Sequence, residues 1–176
     1  MLKNLYRYDW IVLIALSFIL IFVAICVKPS EVTVETLGEW TEPPIVVVCP
    51  SSLLNKDEVN SVLERWKERG HQFDALIEMP CDTQEALPGF IFVRSMATPR
   101  EEDEVGHSHV LYSKETGEIV AVVIELFIDN KVVLEHEVGH ALGYLHVKRV
   151  GHIMYPNLHG DELNDQGLYK DLKTSK

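Results

Sequence analysis

Residues 136–146 read HEVGHALGYLH, and this stretch is the most informative part of the sequence. His136 and His140 are four residues apart, so on a helix their side chains lie on one face and can reach a single ion. Glu137 follows the first histidine, where its carboxylate can hold a water molecule bound to the ion rather than bind the ion itself. The spacing therefore predicts a metal site with its own general base.

Gly143 and His146 complete the predicted site. Gly143 can end the helix, because glycine adopts the left-handed conformation without a side-chain clash, and the chain then turns back toward the metal. His146 would be the third ligand. Three neutral imidazoles leave a fourth position of a zinc ion open to water, which is typical of a catalytic site. The short HExxH pattern also occurs by chance on charged, solvated helices, and the added glycine and histidine make the long form much rarer.

The zinc motif and the segment GHIMYP at residues 151–156 together resemble the metzincin metallopeptidases, and within them most of all the matrixin branch. In these enzymes a methionine turn follows the zinc motif and lies under the metal, so the resemblance gives that role to Met154. The segment DELNDQGLY at residues 161–169 is similar to the closing helix of matrixin catalytic domains. The resemblance implies a zinc endopeptidase with one catalytic Zn2+ and a peptide or protein substrate.

Three departures from the family pattern stand out. No cysteine-switch propeptide is recognisable. Pro156 stands two positions after Met154, where astacin-like and serralysin-like relatives have a metal-binding tyrosine. The region before residue 129 has no clear match to the calcium and structural-zinc loops of matrixins, so the sequence leaves additional Ca2+ or Zn2+ ions open.

The resemblance also implies where substrate binds. In the metzincin arrangement the last strand before the zinc helix edges the cleft, and an extended peptide can add to such an edge through backbone hydrogen bonds. Residues 119–125 would form that strand, and the segment after Met154 would contribute as well. The residues assigned to substrate binding are Ile119, Ala121, Val123, Tyr155 and Pro156.

An uninterrupted apolar stretch without charge covers residues 10–27. As a helix it would be about 27 Å long, close to the hydrocarbon thickness of a bilayer. A cleaved signal peptide is the main alternative, but the stretch is longer than the usual apolar region of such peptides, and no small-residue cleavage site precedes Lys28. The sequence predicts a single transmembrane anchor.

Charge gives the predicted orientation of this anchor. Lys3 and Arg7 precede the apolar stretch, whereas Lys28 is soon followed by acidic residues. The positive-inside rule then keeps residues 1–9 in the cytoplasm and places the rest of the chain in an extracellular, periplasmic or lumenal space. Residues 28–44 are rich in Pro, Glu, Thr and Gly and are predicted to be a stalk. Residues 45–176 have the usual size of one domain with a single core.

The remaining patterns predict an α+β domain: a small twisted mixed sheet with a backing helix, the zinc-site helix and a C-terminal helix. The backing helix is predicted over residues 57–70, because apolar residues recur from Val59 to Trp66 at helical spacing. Asp129 or Asn130 can cap the zinc helix. The predicted strands cover residues 45–48, 73–77, 90–93, 107–112 and 118–126, and the last two form a hairpin.

Cysteines and net charge limit the environment and the partners. Cys49 and Cys81 both follow the predicted anchor, so they form either a disulfide in an oxidising compartment or two buried free thiols. The formal net charge of −11 argues against a nucleic-acid partner, because such proteins present a basic face.

Several other histidines and carboxylates lie near the motif without occupying a ligand position. His107 and His109 share one face of a strand and follow an acidic run, which allows a second metal site, although a solvated loop leading into an edge strand is the simpler interpretation. Glu135, His152 and His159 fit surface or supporting positions. The two histidines of this set are the alternative ligands if His146 does not bind.

The sequence thus predicts a membrane-anchored zinc endopeptidase in which Glu137 assists the attack of zinc-bound water on a peptide bond. The alternative from another class is a catalytically silent, zinc-containing surface module for binding or adhesion. Hydrolysis of a bond other than a peptide is chemically possible at the same site. The presence of Glu137 favours turnover over the silent module.

Overall fold

The computed structural model describes residues 36–81, 86–99 and 104–156. The predicted cytoplasmic segment, the anchor at residues 10–27, the first part of the stalk, the predicted C-terminal helix and His159 all lie outside these ranges. Within them, no helix combines the length and the apolar character needed to cross a bilayer.

Five strands of the described residues form one mixed sheet. β1, β3 and β5 run parallel to one another, β2 pairs in parallel with β1, and β4 pairs antiparallel with β5. The order across the sheet is β2-β1-β3-β5-β4. The strand bounds are β1 Ile45–Val48, β2 Ala75–Glu78, β3 Phe90–Ser95, β4 Gly106–Tyr112 and β5 Ile119–Leu126. The predicted α+β architecture with a mixed sheet is confirmed, although β2 begins later than expected and β3 is longer.

The strand order corrects the prediction that residues 119–125 form an open edge. β5 pairs with β3 on one side and with β4 on the other, so its backbone groups are already used. Ile119 and Ala121 are 1% exposed and Val123 is 7% exposed. An added peptide strand cannot pair there, and among the described strands β4 is the edge on this side of the sheet.

Helix α1 spans Lys56–Glu68 and packs Val59, Val62, Leu63 and Trp66 into the core. Its first turn is closed by a capping box: Glu58 N donates to Asn55 Oδ1, and Asn55 N donates to Glu58 Oε2, each at 3.0 Å. These bonds satisfy two backbone donors that a helix otherwise leaves free. The predicted amphipathic helix is confirmed.

Helix α2 spans Lys131–Ala141 and contacts α1, β4 and β5. Asn130 caps it, because Asn130 Oδ1 accepts a hydrogen bond from Val132 N at 2.8 Å. Nearly every residue of α2 is buried, including the polar residues Glu135, His136 and Glu137. This packing places the zinc motif between the sheet and α1.

A smaller apolar cluster covers the other face of the sheet, around Val47, Phe92 and Val123. Cys49 and Cys81 form a disulfide with an S–S distance of 2.04 Å, which ties the residue after β1 to the segment after β2. The sheet is therefore covered on both faces, with the zinc helix on one and the disulfide on the other.

Candidate metal centre

Three imidazole rings converge at the carboxyl end of α2. The Nε2 atoms of His136 and His140 are 3.1 Å apart, and those of His136 and His146 are 3.3 Å apart. The third pair, His140 and His146, is separated by 3.0 Å. A tetrahedral zinc ion with Zn–N bonds of 2.0–2.1 Å requires about 3.3 Å between its ligand atoms. The spacing of the triad therefore fits a zinc ion.

Hydrogen bonds on the opposite side of two rings fix the tautomer that a metal needs. His136 Nδ1 donates to the carbonyl oxygen of Ile153 at 2.5 Å, and His140 Nδ1 donates to that of Tyr144 at 2.8 Å. A carbonyl oxygen can only accept, so each Nδ1 carries the proton and each Nε2 keeps its lone pair. Lone pairs that face one another at such distances repel unless a cation lies between them.

Burial keeps the triad neutral. Burial lowers the pKa of His136 to about 3 and that of His140 to about 4, and it also lowers the pKa of His146. Metal binding to an imidazole requires the neutral ring. At neutral pH the site is therefore in its ligand form before any ion enters.

Gly143 ends the helix in the way that the sequence predicts. Its φ is +94°, in the left-handed region, and Gly143 N donates to His140 O at 2.9 Å. A Cβ at this position would lie 2.1 Å from Gly38 O, so only glycine fits the turn. The turn directs the chain back so that His146 reaches the other two ligands.

Residues 36–40, which the sequence places in the stalk, hold the outer side of this turn. Leu37 N donates to Gly143 O at 2.6 Å, and Trp40 Nε1 donates to Ala141 O at 2.8 Å. Thr36 forms a β-bridge with Tyr144. The packed domain therefore begins before Ile45, and its first residues support the C-terminal end of α2.

The segment around Met154 packs against α2 next to the metal ligands. Met154 is 1% exposed, and a Cβ added at Gly139 would lie 2.2 Å from its Sδ atom, so the methionine fills the space left by glycine between two ligands. Val147 N donates to Met154 O at 2.8 Å. The neighbouring Ile153 accepts the hydrogen bond from His136. This methionine turn supports the first ligand through its backbone.

Substituting Gly139 with alanine is expected to destabilise the protein by about 1–3 kcal/mol, because the new methyl group would overlap Met154. An alanine in a helix is otherwise stabilising by up to about 1 kcal/mol. Zinc affinity should fall as well, since the displaced turn carries Ile153 O. Urea unfolding and a competitive zinc titration measure the two effects. In a Met154→Ala background the same substitution should cost less, and an equal cost would contradict the overlap.

Glu137 lies one residue after the first ligand and is 5% exposed. Ser108 Oγ donates to Glu137 Oε2 at 2.7 Å. Burial raises the pKa of Glu137 to about 7, the Ser108 hydrogen bond opposes that rise, and the charge of Glu104 adds to it. A cation bound nearby would lower this pKa again. The carboxyl group can therefore exchange a proton near neutral pH.

The other residues singled out near the motif support it rather than bind metal. Glu135 is fully buried and forms ion pairs with Arg65 at 2.8 Å and Arg69 at 2.6 Å, so a surface position is excluded. His152 is 9% exposed, and its Nδ1 accepts a hydrogen bond from Met154 N at 3.1 Å. Both residues brace α2 and the methionine turn.

His107 and His109 each lie close to a carboxylate. His107 Nδ1 lies 2.9 Å from Glu104 Oε1, and His109 Nε2 lies 3.2 Å from Glu125 Oε2, which belongs to a carboxylate that also binds Arg94. In the part of the chain that the structure describes, the zinc-motif triad is the one group of three potential ligands close enough to share an ion. Tyr155 and Pro156 follow the methionine turn, half-buried and exposed respectively.

Two structural partners of the site, Ser108 and Gly106 on β4, were not among the predicted site residues. No signal in the sequence points to them, because their contact with α2 depends on how β4 is placed in the sheet. The capping pair of Asn55 and Glu58, in contrast, has the three-residue spacing of a capping box, which can be recognised in a sequence.

Comparison with known families agrees with this geometry. The family model described as Matrixin matches residues 55–173, which is more than half of the chain. A search of curated proteins finds no match. The matched segment contains α1, α2, the triad and the methionine turn.

Proposed function

We propose that this chain, which belongs to the matrixin family and is a zinc metallopeptidase with a catalytic Zn2+, is an endopeptidase. We also propose that residues 10–27 tether it to a membrane. The observation that carries the proposed catalysis is the convergence of three neutral imidazoles beside one buried carboxyl group. The same arrangement favours turnover over a silent binding module, because the Glu137 carboxyl group next to the first ligand can exchange a proton near neutral pH.

The bound metal, the general base and the backbone around the triad would supply three elements of the reaction. Zinc held by the triad supplies Lewis-acid activation of water and of the scissile carbonyl group. Glu137 accepts a proton from the attacking water and then delivers it to the amide nitrogen, which leaves as an amine. The backbone carbonyls of Ile153 and Tyr144 hold two imidazoles in place, so the ligands need no rearrangement during the reaction.

The edge strand β4 is the proposed docking site for the substrate backbone. β4 pairs on one side with β5, and among the described strands it is the last of the sheet on that side. Its first residues lie against Glu137, since Ser108 donates to that carboxylate. An extended peptide paired with the outer edge of β4 would lie beside the general base. β5, which the sequence predicts to provide this edge, lies inside the sheet instead.

The proposed tether rests on sequence and on the position of the first described residues. The apolar stretch 10–27 carries no charge and follows two basic residues. Thr36 already packs on the domain, which leaves residues 28–35 as the linker of the proposed tether. The Cys49–Cys81 disulfide is consistent with a domain in an oxidising compartment outside the cytoplasm.

One experiment tests both parts of the proposal. Cells that express the full chain are fractionated, and the membrane fraction is assayed on a mixed peptide library with and without a zinc chelator. We expect cleavage in the membrane fraction that chelation abolishes and added zinc restores. Intact cells should cleave library peptides that cannot enter them. Activity that survives chelation would refute the zinc mechanism, and activity confined to the soluble fraction would refute the tether.

A further inference from the structure

Ser108 contacts Glu137 at two atoms. Its hydroxyl oxygen lies 2.7 Å from Glu137 Oε2 and 3.0 Å from the backbone oxygen of the same residue. Both of these atoms are acceptors while the carboxylate is charged, so the hydroxyl is the donor. The bond to the charged carboxylate is the stronger of the two. A side chain on the sheet thus binds the general base on the neighbouring helix.

Gly106 contacts the same glutamate from the same face of β4. Successive side chains on a strand point to opposite faces, so positions 106 and 108 both face α2. A Cβ at Gly106 would lie 3.1 Å from both Cγ and Oε1 of Glu137, and 2.7 Å from Val133 Cγ1. β4 therefore lies close along the glutamate side chain, with Gly106 beside Oε1 and Ser108 beside Oε2.

Antiparallel pairing with β5 fixes where these two residues lie. Gly106 pairs with Leu126 and Ser108 pairs with Ile124. Leu126 and Ile124 are fully buried. A shift of β4 by one residue would turn Ser108 away from α2, because side-chain direction alternates along a strand. The register of the hairpin therefore determines which side chain meets Glu137.

We infer that Ser108 is a positioning residue for catalysis, which holds the Glu137 carboxylate in one orientation so that the unbound oxygen Oε1 serves as the proton acceptor. A glutamate side chain has three rotatable bonds, and a productive proton transfer needs one orientation of its carboxylate. The Ser108 hydroxyl removes the rotation about the last of these bonds. This inference rests on the proposed function, because it assigns the proton transfer to Glu137.

Ser108→Ala tests the inference in the full-length chain. We expect kcat to fall about 10- to 100-fold while KM and the zinc content stay unchanged. Ser108→Thr keeps the hydroxyl and should restore most of the lost activity. Ser113→Ala is the matched control, because the Ser113 hydroxyl belongs to the hairpin turn, where it accepts a hydrogen bond from Thr116 N. The control should retain the wild-type kcat.

A second measurement does not depend on turnover. Crystal structures of the metal-free wild type and of Ser108→Ala are compared at the Glu137 side chain, and the carboxylate should be displaced or split in the variant. An unchanged carboxylate, a wild-type kcat in Ser108→Ala, or a loss of kcat that follows a loss of zinc would each overturn the inference. If the wild type cleaves no peptide, the proposed function fails on its own, and the crystallographic comparison still decides the role of Ser108.

Discussion

Glu137→Gln is expected to lower kcat for peptide hydrolysis by roughly 10²- to 10⁴-fold, with zinc still bound at one ion per chain. Glutamine keeps the shape of the side chain and can still accept the hydrogen bond from Ser108. It cannot take up a proton at neutral pH. The substitution therefore removes the proton transfer and leaves the three imidazole ligands in place.

Initial rates on peptides selected from the library give kcat, and elemental analysis gives the zinc content. Glu115→Gln is the matched control, because it makes the same substitution at an exposed residue in the turn between β4 and β5. The control should retain the wild-type rate. A Glu137→Gln variant that keeps more than a tenth of the activity would show that another group acts as the base.

The parts of the site that lie close together in sequence were predictable from it. The four-residue spacing of His136 and His140 fixes their common face on any helix, and the glycine three residues later can be recognised as the helix end. Met154 follows from the resemblance of the segment after the triad. Local geometry alone brings His136, His140 and Gly143 together, so no knowledge of the sheet is needed for them.

The contacts that depend on strand order were not predictable in this way. Alternation along residues 119–125 reveals two faces of a strand but not its neighbours, so the interior position of β5 was missed. For the same reason the sequence predicts only that Ser108 belongs to a hairpin strand. Its contact with Glu137 joins residues 29 positions apart and requires both the hairpin register and the packing of α2 on the sheet.

Glu135 shows the same limit for charged residues. A glutamate beside a metal ligand was expected at the surface or in a supporting position. Two arginines from α1 and the residue that follows it bind the Glu135 carboxylate and allow its complete burial. A buried charge is tolerated only with such partners, and their approach follows from helix packing rather than from the motif.

Acidifying the metal-free protein from pH 6.5 to 4.5 is expected to lower its free energy of unfolding, because buried histidines of the triad resist protonation. Burial lowers the pKa of His136 to about 3 and that of His140 to about 4. In the unfolded chain both values return to about 6.5. Once the pH is well below 6.5, the unfolded state binds nearly two more protons at these residues than the native state does, so stability falls as the pH falls.

Glu137 acts in the opposite direction. Burial raises its pKa to about 7, so the native carboxyl group is mostly protonated in this window, whereas the unfolded one is largely ionised until the pH approaches its ordinary pKa of about 4.3. One of the two excess protons is thereby offset. The remaining difference of one proton corresponds to about 1.4 kcal/mol per pH unit. Burial also lowers the pKa of His71 and of His146, which adds to the loss of stability on acidification.

Glu137→Gln separates these opposing contributions, because glutamine removes the proton uptake of the native state and leaves the histidines unchanged. On acidification the free energy of unfolding of this variant should fall more steeply than that of the wild type. The two slopes should differ by up to about 1.4 kcal/mol per pH unit. Urea unfolding with chelator and a mild detergent, at closely spaced pH values, measures both slopes, with Glu115→Gln as the reference. Equal slopes for Glu137→Gln and the wild type would contradict a protonated Glu137. A wild type that becomes more stable between pH 6.5 and 4.5 would contradict a neutral triad.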